Sequence, residues 1–332
     1  MKKVMNNPEN VVNEMVEGFI ATFGNGYKKV LNSNGVIVKN KPDRVAIITG
    51  GGSGHEPLFI GMVGEGLADG TAIGNVFSAP TPDTIIEVTK ELDSGHGVLY
   101  VYGNYSGDVL NFDMAAEMLD FENIKTKTVL VNDDVASAAK ENAKDRRGIA
   151  GDIFAIKIAG AAANDNLSLE QVAAITQKAV DNIRSIGVAL SPSSIPSTGK
   201  YTFELAEDEI EFGMGIHGEP GIQKTKLLSA DELTQIMVDY ILKDIELKKG
   251  DEVCILVNGL GSTTLMELFI VSRKLTNILE DKGIIIYDAD VNSYCTTLEM
   301  AGVSITVMKL DEELKKYYDK PAYSPYYFKK GR

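Results

Sequence analysis

The chain has few cysteines and no cluster of metal-binding residue types around them. Its 332 residues include two cysteines, Cys254 and Cys295, and neither belongs to a close Cys/His set of the kind that zinc requires. Cys254 lies in the apolar segment 253–257, where a buried thiol is the ordinary interpretation. We therefore expect neither a disulfide framework nor a structural metal.

A basic stripe and a long apolar run are also missing from the sequence. The formal net charge is −14 and the pI is about 4.8, so the phosphates of a nucleic acid would be repelled. Residues 1–8 contain two lysines with no apolar core behind them, and nowhere are about 18 apolar residues consecutive. We expect a soluble, cytoplasmic protein that binds neither nucleic acid nor a membrane.

The standard phosphate-binding signatures are absent from the most glycine-rich stretch. An apolar run at 45–48 reads as a buried strand and leads into Gly-Gly-Gly-Ser-Gly at 50–54, which we interpret as a turn. A Walker loop would end in Gly-Lys-Ser/Thr, and a dinucleotide fingerprint would read G-x-G-x-x-G. Here His55 follows instead, within Gly-His-Glu-Pro at 54–57. A simple turn is the alternative, but an imidazole held on glycines suits proton transfer.

Strand-like and helix-like segments alternate along the whole chain, which predicts an α/β protein with mainly parallel or mixed sheets flanked by helices. At this length two domains are expected, at 1–186 and 187–332. Predicted helices include 8–23, a segment after Pro57 to about residue 66, 168 to about 185, and 229–243. The sequence at 191–199 resembles a linker, and 204–211 a solvated acidic turn.

Two further polar positions stand out. Asp108 comes after the apolar run 97–102, where it can cap the next helix, lie beside His55 at the carboxyl ends of parallel strands, or do both. His217 lies in Ile-His-Gly-Glu-Pro-Gly at 216–221, and its Gly, Glu and Pro neighbours are similar to those of His55. His96, between glycines in a turn with no acidic or hydroxyl cluster around it in sequence, is interpreted as a solvated residue.

Five motifs occur in this order along the chain: Gly-Gly-Gly-Ser-Gly-His-Glu-Pro at 50–57, Thr-Pro-Asp at 81–83, Asn-Tyr-Ser-Gly-Asp-Val-Leu-Asn-Phe at 104–112, Arg-Arg-Gly at 146–148, and Gly-Met-Gly-Ile-His-Gly-Glu-Pro-Gly at 213–221. Together they resemble the dihydroxyacetone-binding (DhaK) subunits of dihydroxyacetone kinases, and the likeness spans almost the whole chain. The resemblance implies a homodimer of two-domain chains with the substrate site between the domains.

The resemblance also implies roles for individual residues. The histidine matching His217 forms a covalent hemiaminal with the ketone carbon of dihydroxyacetone, a step that glycerol, which has no carbonyl, cannot undergo. His55 and Asp108 match the acid/base pair that activates the terminal hydroxyl. Gly52 and Ser53 are expected to contact the substrate, and Ser78 is a further candidate.

No nucleotide-binding motif is visible in the sequence, and the resemblance accounts for this. In the family a separate DhaL subunit carries ADP and magnesium and is recharged by the phosphotransferase-linked DhaM subunit. This chain is therefore expected to bind no cofactor or metal of its own and to transfer the phosphoryl group of a phosphoenolpyruvate-dependent system to dihydroxyacetone.

Two departures from the family pattern leave alternatives open. Gly103 stands where many members have a lysine, and Ala79 follows Ser78 where others have a serine. A four-carbon ketose such as erythrulose is therefore a second possible substrate. A DhaQ-like coactivator, which binds dihydroxyacetone and a transcription regulator, is the rival function. Retention of both His55 and Asp108 favours the kinase subunit.

Overall fold

The computed structural model describes residues 2–332 and contains two six-stranded mixed sheets flanked by helices. The predicted fold class is confirmed. In the first sheet the strand order is β1-β2-β4-β3-β5-β6, and strands β4, β3, β5 and β6 run parallel. These six strands are β1 (Tyr27–Lys29), β2 (Gly35–Val38), β3 (Ala46–Ser53), β4 (Gly70–Val76), β5 (Val98–Gly103) and β6 (Thr126–Val131).

The second sheet is largely antiparallel, with β10 and β11 as its parallel pair. Its order is β11-β10-β12-β7-β8-β9. The strands are β7 (Ile183–Ser191), β8 (Glu209–Phe212), β9 (Gln223–Lys226), β10 (Glu252–Gly259), β11 (Ile285–Asn292) and β12 (Ala301–Lys309). A short hairpin of β13 (Ala322–Tyr323) and β14 (Phe328–Lys329) lies near the C-terminus.

Eight α-helices cover the sheets, and several begin at side-chain caps that the sequence supplies. Thr81 caps the helix that starts at Pro82, and Ser168, Ser229 and Thr264 each form a capping box. The helices are α1 (Val11–Phe23), α2 (Pro82–Leu92), α3 (Ser106–Asp120), α4 (Asp152–Ala163), α5 (Leu169–Asp181), α6 (Ala230–Asp244), α7 (Leu265–Asp281) and α8 (Glu312–Tyr318).

Helix α4 lies in the core that joins the two sheets. All its residues are buried, and the same apolar cluster contains Leu99 of the first sheet and Cys254 and Met308 of the second. A helix that is apolar all round is expected only where protein covers every side. The single lysine of α4, Lys157, donates to the carbonyl oxygen of Tyr317 at 3.0 Å.

A buried ion cluster joins the loop before α4 to β7 and to the C-terminal end of α6. Arg146 makes two hydrogen bonds to the Asp244 carboxylate, at 2.9 and 2.5 Å, and Arg184 of β7 bonds the same carboxylate. Arg146 is 1% exposed. Paired geometry of this kind is what allows charges to be buried.

Several segments differ from the prediction. Residues 50–53 continue β3 as strand and are not a turn; the glycines are needed because a Cβ at Gly51 would lie 2.3 Å from the ring of Phe59. After Pro57 the chain forms turns and a short 3-10 helix, Ile60–Met62, and no α-helix. The helix predicted to about residue 185 ends at Asp181, and strand β7 follows.

Strand β8 occupies the end of the segment predicted as a solvated acidic turn, and Glu211 within it is buried. Four aromatic residues lie close together near the C-terminus: Tyr327 is buried, whereas Tyr323, Tyr326 and Phe328 are exposed. Strand β7 runs across residue 186, and the division of the chain into domains at that position stays a prediction. No helix of residues 2–332 has both the length and the apolar character needed to cross a bilayer.

Candidate active site

The two motif histidines lie on loops that leave different sheets. His55 follows β3 of the first sheet, and His217 follows β8 of the second. Each has a glycine with positive φ beside it, Gly54 at 98° and Gly218 at 88°. Residues with a Cβ rarely adopt these angles, so the glycines allow each loop to reverse direction at the imidazole.

The imidazoles of His55 and His217 meet with their Nε2 atoms 3.0 Å apart. The Nδ1 of His55 is 2.7 Å from the carbonyl oxygen of Thr296, and since a carbonyl only accepts, this Nδ1 carries the proton. The Nδ1 of His217 faces Oε1 of Glu219 at 3.1 Å and donates in the same way. In the neutral pair both Nε2 lone pairs therefore point at one position, which suits a shared proton.

Burial and charge keep this pair from taking up two protons. His55 is 1% exposed. Burial, reinforced by the nearby charge of His217, lowers its pKa from 6.5 to about 3. His55 is therefore neutral near pH 7, and the lone pair on its Nε2 can accept a proton.

Glu219 is the counter-charge of His217. Burial alone would raise the pKa of Glu219, but its hydrogen bond to His217, the charge on that ring and Arg147 together lower it to about 2. Its Oε2 also accepts the backbone N–H of His217 at 3.0 Å. The carboxylate thus fixes both the tautomer and the position of this ring.

Arg147 supports the His217 loop from the first sheet. Its guanidinium donates to Asp134 at 2.8 Å and to the carbonyl oxygen of Gly213 at 3.0 Å, and it lies 3.9 Å from Glu219. Arg146 is occupied by the buried cluster with Asp244. Of the two arginines in the Arg-Arg-Gly motif, Arg146 therefore belongs to the buried ion cluster and Arg147 positions the His217 loop.

A short segment after β11 holds both histidine loops. Besides its carbonyl contact to His55, Thr296 donates through its hydroxyl to the carbonyl oxygen of Glu56 at 2.8 Å. Thr297 donates to the carbonyl oxygen of Ile216 at 2.8 Å, and the N–H of Leu298 donates to Gly54 at 2.7 Å. We call residues 296–298 the bridging segment, since it joins the loop of one sheet to the loop of the other.

Asp108 lines the same narrow cleft as the two histidines. It lies in the first turn of α3, whose N-cap is Tyr105, so the expectation that Asp108 caps the helix is wrong. Burial raises its pKa from 3.8 to about 6, with the charge of His217 acting in the opposite direction. A carboxyl with this pKa is mostly ionised at pH 7 and is still a useful proton acceptor.

The cleft has about 270 Å³ of space between protein atoms, part of it open to solvent. Strand β3, the end of β5, the start of α3 and α4, and the His217 loop all contribute to its walls. The lining residues are Gly50, Gly51, Gly52, His55, Phe59, Gly103, Tyr105, Asp108, Asp152, Ile216 and His217.

Of the three residues predicted to contact the substrate, only Gly52 is among the residues that line the cleft. Gly52 lines the cleft, and a Cβ there would approach the backbone of Ser78 to 2.7 Å. Ser53 is buried, and its hydroxyl donates to the carbonyl oxygen of Gly74 at 2.8 Å. Ser78 is exposed and donates to Val76 at 3.4 Å. Their roles as substrate contacts stay predictions.

Sequence reasoning missed four residues of the site: Glu219, Thr296, Tyr105 and Asp152. Glu219 could have been found, because a carboxylate two residues after a glycine-flanked histidine can reach the ring. Tyr105 packs edge-on against His217 with ring centroids 4.7 Å apart, which no local pattern indicates. Thr296 and Asp152 come from distant parts of the chain, and only the fold brings them here.

The third histidine lies at the surface. The Nε2 of His96 is 3.2 Å from a carboxylate oxygen of Asp43, and both side chains are more than half exposed. The interpretation of His96 as a solvated turn residue agrees with this position. Within residues 2–332, no group of three or more His, Cys, Asp or Glu side chains is arranged to hold a metal ion.

Comparison with known proteins assigns the chain to a family. The Dak1 domain model matches residues 17–326. A Listeria innocua protein named PTS-dependent dihydroxyacetone kinase 2, dihydroxyacetone-binding subunit DhaK, is 45% identical over 330 residues, covering 98% of this chain and 99% of its own.

Two solved structures have the same fold. The dihydroxyacetone kinase of C. freundii superposes with a TM-score of 0.89 at 29% identity, covering 98% of this chain and 60% of that one. The dihydroxyacetone kinase operon co-activator DhaQ superposes with a TM-score of 0.87 at 31% identity, covering 93% of this chain and 96% of its own. The chain thus belongs to the Dak1 family, and its relatives include DhaK subunits of dihydroxyacetone kinases.

Proposed function

We propose that this chain is the ketose-binding subunit of a phosphotransferase-dependent dihydroxyacetone kinase, with His217 as the covalent nucleophile. The observation that carries the proposal is the 3.0 Å approach of two Nε2 atoms whose rings are both oriented by hydrogen bonds at Nδ1. A ketone carbon bonded to Nε2 of His217 takes the place of that contact, and it leaves Nε2 of His55 beside the captured group as a proton acceptor.

Capture begins when the Nε2 lone pair of His217 bonds to the ketone carbon. The carbonyl π electrons move to the oxygen, which takes up a proton, while the ring gains positive charge. Glu219 balances that charge as a carboxylate, so the adduct forms with the uptake of one proton from solvent, which ends on the former ketone oxygen. A polyol without a carbonyl gives no such bond, which makes this step selective for ketoses.

The second step transfers a phosphoryl group to a terminal hydroxyl of the captured ketose. Asp108 and neutral His55 are the proton acceptors in the cleft. The hydroxyl oxygen would attack the phosphorus of the phosphoryl group carried on DhaL as its proton passes to one of them; the P–O bond to ADP would break, so that ADP stays on DhaL and dihydroxyacetone phosphate forms. The donor would be a DhaL subunit loaded with ADP and magnesium, itself recharged through DhaM, and it supplies the charge stabilisation this reaction needs.

Exposed apolar side chains support the two expected partners. On α3, which begins beside the cleft, and at its C-cap, the exposed apolar residues are Leu110, Met114, Met118 and Phe121. On α7 they are Leu265, Met266, Phe269 and Ile270. We assign the α3 surface to the phosphoryl-donating subunit, because a donor must cover the cleft. We assign the α7 surface to a second copy of this chain, and Phe269→Asp should convert the homodimer to a monomer in light scattering.

The test is phosphorylation of dihydroxyacetone by this protein with DhaL that is loaded with ADP and magnesium and recharged by DhaM from a phosphoenolpyruvate-dependent system. His217→Ala should lose the ketone adduct in intact-protein mass spectrometry, and His55→Ala should lose turnover. His96→Ala is the matched control, because it removes the third imidazole, which is exposed, contacts Asp43 and does not line the cleft. A His217→Ala protein that still forms the adduct would contradict the proposal.

The rival function is that of a coactivator, which the likeness to the DhaQ structure supports. A coactivator needs ketose capture but has less use for a proton acceptor at Asp108. Adduct formation by the wild-type protein together with no turnover, using a DhaL preparation proven on another DhaK subunit, would favour the coactivator.

A further inference from the structure

The side-chain amide of Asn258, near the end of β10, is fully buried and makes four hydrogen bonds. Its Oδ1 accepts the backbone N–H groups of Tyr294 at 2.8 Å and Cys295 at 2.9 Å. Its Nδ2 donates to the carbonyl oxygen of Cys295 at 2.8 Å and to Oγ of Ser304 at 3.1 Å. Both donors and both acceptor positions of the amide are therefore used, although Asn258 does not line the cleft.

The segment that this amide holds has no regular structure of its own. Strand β11 ends at Asn292, β12 begins at Ala301, and residues 293–297 belong to no helix or strand. Buried backbone groups outside helices and sheets must find their partners among side chains or other loops. The course of the backbone at 294–295 therefore depends on Asn258.

The peptide unit between Cys295 and Thr296 connects Asn258 to the active site. Because this trans peptide is planar, its C=O and N–H point in opposite directions. Asn258 binds the C=O, and the N–H donates to the carbonyl oxygen of His55 at 3.4 Å. The next carbonyl, that of Thr296, accepts the Nδ1 proton of His55 at 2.7 Å.

The Thr296 carbonyl decides which ring nitrogen of His55 has a lone pair in the cleft. With the proton on Nδ1, the Nε2 lone pair can accept a proton from a substrate hydroxyl. If this carbonyl turned away, the neutral ring could carry its proton on Nε2, and Nε2 could then only donate. We propose that Asn258 is a positioning residue for the proton step, acting on His55 through the Thr296 carbonyl. This assignment rests on the proposed function for the role of His55.

The loop of His217 is held by separate contacts. Glu219 accepts the Nδ1 proton of His217, and Arg147 bonds the loop from the first sheet. Thr297, which donates to this loop, has its own anchor, because its N–H donates to the carbonyl oxygen of Leu260 at 2.8 Å. Loss of the buried amide should therefore disturb the proton step more than ketose capture.

The first measurement is the tautomer of each imidazole, read from NMR of the ring nitrogens in the full chain without ketose or donor. In the wild type the His55 proton should reside on Nδ1. In Asn258→Ala the signals should change to an average of both tautomers. Ser304→Ala is the matched control, because it removes one partner of the amide and leaves the bonds to 294–295 in place, so the wild-type signals should persist.

The second measurement compares phosphoryl transfer in a single turnover with the dissociation constant of dihydroxyacetone. Asn258→Ala should lower the transfer rate about 10–100-fold, the cost of misplacing a reacting group, and change the dissociation constant less than about threefold. Asn258→Asp, which keeps the volume and both acceptor bonds, should give an intermediate transfer rate.

An unchanged His55 tautomer in Asn258→Ala, or a wild type with the His55 proton on Nε2, overturns the assignment. It is equally overturned if Asn258→Ala and Asn258→Asp both fail to fold while Ser304→Ala folds, since the amide is then only a part of the core. The tautomer measurement needs no phosphoryl donor. The predicted tautomers in a wild type that transfers no phosphoryl group would therefore support the positioning of His55 and contradict the kinase step alone.

Discussion

Glu219→Gln should weaken ketose capture about tenfold while leaving the fold intact. The carboxylate of Glu219 accepts a hydrogen bond from Nδ1 of His217 at 3.1 Å, and glutamine keeps the shape but loses the charge. Capture places positive charge on the His217 ring, so the loss should appear in the affinity for dihydroxyacetone.

The magnitude follows from the pKa of Glu219, which is lowered from 4.5 to about 2. At about 1.36 kcal/mol per pKa unit, this corresponds to about 3 kcal/mol holding the carboxylate charge in place. The side chain is 33% exposed, and screening by solvent reduces the figure to about half. A remaining 1.5 kcal/mol, on the order of a factor of ten in affinity, is the expected effect.

The assay is titration with dihydroxyacetone at pH 7, with adduct formation followed by intact-protein mass spectrometry. Glu56→Gln is the matched control, because Glu56 also follows a motif histidine closely in sequence, but its carboxylate accepts the backbone N–H of Gly54 and does not contact a histidine ring. Affinity of Glu219→Gln within twofold of the wild type would refute the argument that this carboxylate stabilises the adduct.

Three further predictions concern other parts of the chain. Asp108→Asn should lower phosphoryl transfer by about 10²–10⁴-fold while capture persists, and in the wild type single-turnover rates should rise with pH through about 6, because the base must be ionised. Asp244→Asn should cost about 3–5 kcal/mol in denaturant unfolding, since it leaves the buried Arg146 without its counter-charge; an unchanged midpoint would contradict this. Burial raises the pKa of both Cys254 and Cys295, so neither thiol should react with Ellman's reagent until the protein is unfolded.

The sequence predicts the alternation of strands and helices well because capping residues and apolar runs are local signals. It fails where tertiary packing decides. Residues 50–53 remain strand because Phe59 packs against Gly51, and the apolar segment after Pro57 is buried as turns. The first residues of strand β7 were predicted as helix, because they continue the apolar spacing of α5.

The same distinction holds for the site. His55, His217 and Asp108 stand out because glycines lie beside the histidines and because His55 and Asp108 follow predicted strands, and the fold brings all three to one cleft. Thr296 and Asp152 give no local signal, since their importance depends on which loops and strand ends lie opposite them. Long-range contacts of this kind need the folded chain.

The bridging segment has a consequence for how the protein responds to its ligand. It connects the His55 loop to the His217 loop through backbone groups and two threonine hydroxyls, and a captured ketose would add a further link between these two loops. By linkage, the free energy needed to separate the two loops then grows with ketose concentration. Amide exchange of residues 296–298 should slow as ketose is added, so that resistance to proteolysis becomes a measure of sugar supply.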